Sequence, residues 1–188
     1  RVDSPLRDSM VKIYTEMSHK PIDINSKIIY IDMDNVIVDF KSGLNKISDE
    51  VKSQYADDGN GKPHYDDIPN IFSLMEPMEG AVDAIKAIAA TNHYELVILS
   101  TAPWDNPSAW CDKLQWVKHY FDSDNEDGLF YKRLILSHHK ELCIQKDSWL
   151  IDDRPNNGAK NFGERHIHFG TVKFPTWESI KKFFIEKN

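Results

Sequence analysis

Apolar residues fall along this chain in five short runs separated by stretches of helical period. The first, Ile28-Ile29-Tyr30-Ile31, is unbroken, as in a strand covered on both faces of a parallel sheet. Comparable runs recur at Glu95 to Leu99, Arg133 to Leu136, Ser148 to Ile151 and, shorter, Ile167 to Phe169. Between Glu79 and Ala90, Val82, Ile85, Ile88 and Ala89 recur at threes and fours. Asn106 and Pro107 open a second helix, with Trp110, Leu114, Val117 and Phe121 on its inward face and Lys113 at the edge of that face. A closing helix starts at Thr176 and places Trp177, Ile180, Phe183 and Phe184 on one side. Strands alternating with helices predict an α/β fold built on a doubly wound, mostly parallel sheet.

Two segments break the alternation. Residues 1–26 read as an N-terminal extension: Arg1 to Ser9 lack periodicity and look like a remnant ahead of a natural start at Met10 or Met17, and Met10 to Met17 form one weak helical stretch. Residues 41–78 are polar, with Gly59, Gly61 and Pro63 in their middle, and read as a small helical cap inserted after the first strand. Helical turns are expected in it at Gly43 to Tyr55 and around Ile68 to Met75. Residues 27–40 and 79–188 then make the core domain.

Length and charge narrow the function classes. At 188 residues the chain can bury a core without staples, so Cys111 and Cys143 read as reduced thiols of a cytoplasmic protein. A formal net charge of −7 argues against a surface that grips the backbone of nucleic acid. No apolar run is long enough to span a bilayer. Small anionic substrates remain compatible with this charge, because a metal and a few lysines reverse the field locally.

The chemistry sits at the strand ends. Asp32 and Asp34 follow the first run, Ser100 and Thr101 the second, Lys140 the third, and Asp152 and Asp153 the fourth. In open α/β sheets ligands bind at the carboxyl ends of the strands. Two acids as close as Asp32 and Asp34 repel each other unless a positive charge lies between them, and Mg²⁺ with its preference for oxygen answers that need. Alternation along an extended strand puts both acids on the same face; periodicity does not say which of them attacks.

In this order and strand context, Asp32-Met-Asp34-Asn-Val, Ser100-Thr101, Lys140 and Asp152-Asp153 resemble the four motifs of the haloacid dehalogenase superfamily. The flanking residues Asp39-Phe40, Glu76-Pro-Met-Glu-Gly-Ala-Val82, Lys113 with Trp116-Val117, and Leu150-Ile-Asp-Asp resemble its 5′(3′)-deoxyribonucleotidase branch, a group of 5′-nucleotidases. The resemblance implies a Rossmann-like sheet in the order 5-4-1-2-3 and Mg²⁺-dependent hydrolysis of phosphate monoesters, here of nucleotides. It implies Asp32 as nucleophile and Asp34 as general acid and base, with Mg²⁺ held by Asp32, the Asp34 carbonyl and Asp152, and Asp153 behind them. Thr101, the amide of Ala102, Lys140 and Lys113 are then the phosphate-binding groups, and Phe40 either stacks on a base or belongs to the core.

Ala102 stands where the branch often has serine, and Asn35-Val36 where the superfamily often has glycine and threonine. Two alternatives stay open beside the nucleotidase: a phosphatase for another small or protein-borne phosphate, and a phosphate-binding relative without turnover.

Overall fold

The computed structural model describes residues 21–186, so the helical stretch expected at Met10 to Met17 lies outside the described residues. In chain order the strands are β1 (Ile28–Ile31), β2 (Val38–Asp39), β3 (Glu76–Pro77), β4 (Glu95–Ser100), β5 (Leu134–Leu136), β6 (Ser148–Asp152) and β7 (His166–His168). The α-helices are α1 (Phe40–Leu44), α2 (Asp49–Gln54), α3 (Ala81–Ala90), α4 (Pro107–Tyr120) and α5 (Trp177–Glu186).

β1 is central because all four of its side chains are buried. It pairs in parallel with β4 on one side and β6 on the other, and the full order is β5-β4-β1-β6-β7. With the antiparallel ribbon β2–β3 left out of the count, that is the expected 5-4-1-2-3. The register pairs Ile31 with both Ile98 and Ile151, so the polar residues that follow emerge together at one edge of the sheet.

Alternate strand residues feed two packed layers. Ile29, Ile31, Leu96, Ile98, Trp149 and Ile151 meet Ile85 and Ile88 of α3 and Trp177, Ile180 and Phe184 of α5. Ile28, Tyr30, Val97, Leu99 and Leu150 face the other way, onto Ala159 and Phe162 of the 3-10 stretch Ala159–Arg165.

Helix α4 turns a different face inward from the one its apolar pattern predicts. Ala109, Lys113, Trp116 and Val117 are buried, whereas Trp110 and Leu114 are 37% and 44% exposed. The helix rotates to put a lysine inside because an acid waits there for it, as described below. Asn106 stands at the N-cap position but bonds elsewhere: its Nδ2 donates to the carbonyls of Asp66 and Ile68 at 2.7 and 3.0 Å.

Those carbonyls belong to residues 41–78. The long helical turn expected over Gly43 to Tyr55 is split into α1 and α2, because Ser48 starts a new helix by accepting from the Val51 amide. Around Ile68 to Met75 the structure has a 3-10 turn, Ile71–Leu74. Ile68, Ile71, Phe72 and Met75 join the same apolar cluster as the sheet and α4. Gly43 permits the close approach, since a Cβ there would lie 2.6 Å from Met75 Cγ and 3.1 Å from the Ile71 carbonyl.

Cys111 and Cys143 form no disulfide. Among the described residues no helix is long and apolar enough to cross a membrane.

Asn106 is 2% exposed and satisfies two carbonyls, so Asn106→Ala strands buried acceptors. We expect a loss of roughly 1–3 kcal/mol in urea unfolding. An unchanged midpoint would show that these bonds do not hold the inserted residues to the helix.

Candidate active site

Asp32 leaves the end of β1 and Asp152 ends β6, and the parallel register brings them side by side: the Asp32 amide donates to the Ile151 carbonyl at 2.9 Å. Between the two carboxylates sits Lys140, the first residue of the 3-10 turn Lys140–Cys143 after β5. Its Nζ lies 3.1 Å from Asp32 Oδ2 and 2.5 Å from Asp152 Oδ2. All three side chains are buried.

The chain turns sharply after Asp32. The Met33 carbonyl accepts from the amides of Ile37 and Val38, and Asn35 supplies the left-handed residue of the turn at φ 57°. Asparagine tolerates that region better than most side chains. The turn places Asp34 against α4, where Lys113 Nζ bonds both of its carboxylate oxygens at 2.8 Å. Lys113 also donates to Ser100 Oγ at 3.2 Å and lies 4.8 Å from the Phe72 ring centroid. Lys113 therefore stands one step back from where the sequence put it, on the acid and not in the hollow.

Burial dominates the electrostatics. It raises the Asp34 carboxyl above the ordinary carboxylate range, with Lys113 pulling the other way. Burial and then the Asp32 charge push Asp152 up to about 6, against the pull of Lys140. For Lys140, burial favours loss of the proton, but the charges of Asp32 and Asp152 outweigh it and hold the ammonium above its usual value. Asp153 is raised mainly by burial, opposed by Arg154.

A hollow of about 290 Å³ opens over these groups, lined by Asp32, Asp34, Lys140 and Asp152 on its floor and by Thr101, Ala102 and Asn157 on its wall. A second hollow of about 210 Å³ adjoins it, lined by Asn35, Phe40, Pro63 and Tyr65. Asp34, Asp66 and Arg154 border both, so Asp34 stands at the junction. Phe40 is half-buried there, edge-on to Phe72.

The acid cluster suits a small hard cation. Asp32, Asp152 and Asp153 each offer an oxygen within 4.8 Å of the others, and all the donors are carboxylates. Asp153 Oδ1 is buried without a hydrogen bond, its nearest cation being Arg154 Nε at 3.6 Å. One ammonium between Asp32 and Asp152 leaves a negative charge uncompensated.

Several lining residues escaped the sequence reading. Asp66 lies in the polar insertion, where only a run of acids marks it; Trp104, Arg154 and Asn157 follow motif residues closely, and the Asn156-Asn157-Gly158 turn signal was the available hint.

The sequence profile of the family described as 5′ nucleotidase, deoxy (Pyrimidine), cytosolic type C protein matches residues 45–178. A Vibrio phage KVP40 protein provisionally named a 5′(3′)-deoxyribonucleotidase is 43% identical over 96% of this chain and 97% of its own length. A Staphylococcus aureus protein of the same provisional name is 28% identical over 85% of this chain and 96% of its own. The human mitochondrial 5′(3′)-deoxyribonucleotidase is 28% identical over 59% of this chain and 41% of its own. A profile match across most of the chain and a relative this similar along nearly all of it show that the chain belongs to the 5′-nucleotidase, deoxy (pyrimidine), cytosolic type C family, phosphatases of the haloacid dehalogenase type.

Proposed function

We propose that this protein is a Mg²⁺-dependent phosphatase of nucleoside 5′-monophosphates, deoxy ones included, working through an aspartyl-phosphate. The observation that carries this reading is the convergence of Asp32, Asp34, Lys140 and Asp152 on one hollow from the ends of β1, β5 and β6 and the turn that follows the first of them. Phosphate monoesters hydrolyse so slowly unaided that nucleophile, acid and charge neutralisation must act together.

Asp32, the Asp34 carbonyl and Asp152 would hold Mg²⁺, with Asp153 beside them. When bound, the ion supplies positive charge that lets an anionic nucleophile meet an anionic ester. Asp32 attacks phosphorus, forming an Oδ–P bond as the bond from phosphorus to the leaving oxygen breaks. Asp34 gives that oxygen its proton. Water then attacks phosphorus and yields its proton to Asp34, releasing inorganic phosphate and restoring Asp32.

Burial and Lys113 pull the Asp34 carboxyl in opposite directions, which suits a group that must give and retake one proton. Lys113 fixes its orientation through both oxygens. Lys140 offsets charge on the phosphoryl oxygens, and the Ala102 amide donates to them. Residues 41–78 act as a cap: its Pro63 and Tyr65, together with Phe40 of the core, wall the hollow on the leaving-group side of Asp34, and a flat base would fit against those rings.

A panel of phosphorylated metabolites tests the substrate class. Nucleoside 5′-monophosphates should show the highest kcat/KM, and sugar phosphates outrunning every nucleotide would refute the nucleotide assignment. Asp32→Asn should lower kcat by at least about a thousandfold while leaving the melting temperature nearly unchanged. An active Asp32→Asn protein would overturn the mechanism.

Metal binding should also be pH-dependent. The folded value of Asp152, about 6, lies above its unfolded one, so the folded protein holds that proton more tightly. Its contribution to stability is lost as pH rises from the ordinary carboxylate range to about 6, where a cation that binds the ionised form takes over. After chelator treatment, saturating Mg²⁺ should raise the melting temperature more at pH 7.5 than at pH 5; an equal gain at both would exclude Asp152 as a ligand.

A further inference from the structure

The hydroxyl of Thr101 is already committed. Its Oγ1 donates to the Ser137 carbonyl at 2.8 Å, and a threonine hydroxyl has one proton to give. It cannot also donate to a phosphoryl oxygen while that bond stands. The neighbouring residue is Ala102, which has no hydroxyl. The one side-chain donor expected along this wall, the Thr101 hydroxyl, is therefore spent elsewhere, and the wall still has to meet a group with several strong acceptors.

Asn157 lines the same hollow, between Thr101 and Lys140. Its Nδ2 donates to Thr101 Oγ1 at 3.3 Å. Because the Thr101 proton points at Ser137, that oxygen can only accept from Asn157, and this settles which end of the amide faces it. Among the described residues the second N–H of the amide has no acceptor. The backbone holds it in place: the Asn157 carbonyl accepts from the Lys140 amide at 2.9 Å. Gly158 beside it, at φ 84°, presses so closely on Glu141 that a Cβ would fall inside that carboxylate.

We propose that Asn157 is a phosphate-binding residue, its free Nδ2 hydrogen donating to a phosphoryl oxygen and standing in for the hydroxyl that Thr101 does not supply. The inference rests on the phosphatase reading above but not on its nucleotide part, since it concerns the half of the site that every phosphate ester shares. Asn157 thereby ties three motif loops together: its side chain reaches the β4 loop, its carbonyl the β5 loop, and it follows β6.

The test uses Asn157→Gly, because φ at this residue is 50°, where glycine keeps the backbone path while deleting the side chain. The carbonyl that holds Lys140 is main chain and survives the change. Inhibition by inorganic phosphate and KM for the best ester should both weaken by roughly tenfold to hundredfold, the range of one hydrogen bond to a charged group. The melting temperature and the Mg²⁺ concentration for half-maximal activity should stay as in the wild type, which a merely structural role would not allow. Asn157→Asp, of the same shape but without the donor, should weaken phosphate inhibition at least as much, and it keeps the test open if the glycine variant folds poorly. Phosphate inhibition within about twofold of wild type in either folded variant would overturn the proposal. Wild-type protein that hydrolyses no phosphate ester and binds no inorganic phosphate would instead sink the phosphatase reading itself.

Discussion

The site depends on two buried lysines holding two buried acids, Asp32 and Asp152, and a half-buried one, Asp34, at one end of a sheet. Lys140 lies between Asp32 and Asp152, and Lys113 closes on Asp34. A buried charge left without a partner costs several kcal/mol, so neither lysine is dispensable to the arrangement even before any ligand arrives. The two pairs also give the acids different surroundings. Asp32 keeps company with a cation it shares, while Asp34 has one to itself and sits at the boundary of the two hollows.

This pairing explains much of the surrounding fold. Helix α4 presents Lys113 inward and leaves Trp110 and Leu114 in contact with water, against its own apolar pattern. Phe72, from the inserted residues, covers the ammonium, and Trp116 Nε1 donates to the Met75 carbonyl beside it. The insertion and α4 thus enclose the ion pair between them. The ammonium end of the contact is thereby kept from water, which would weaken it, while Asp34 keeps a face on both hollows.

The parts of the protein that sequence could reveal are those where one physical signal dominates. Ile28 to Ile31 are uniformly apolar and run straight into Asp32, so both the strand and its chemical end were readable, and Lys140 and Asp152 followed from the same logic at later strands. The phase of α4 was not readable, because counting apolar positions treats lysine as a surface residue and cannot see the acid that neutralises Lys113. The insertion resisted for another reason: 3-10 turns and a left-handed Asn70 at φ 62° carry no helical period. Thr101 shows a third limit, since a hydroxyl in the right place gives no sign of where its only proton is spent.

Asn106 carries a consequence for how such enzymes diversify. Its amide fastens the backbone of Asp66 and Ile68 to the first turn of α4, and Ser108 of that turn accepts from the Asn70 amide. The insertion that walls the second hollow and the helix that carries Lys113 to Asp34 therefore form one mechanical unit. Residues 57–62, whose turn is closed by the carboxylates of Asp57 and Asp58, bond to one another and not to α4, and so lie outside that unit. Transplanting a foreign insertion wholesale, by contrast, requires exchanging the start of α4 along with it, or the acid at the junction loses its alignment.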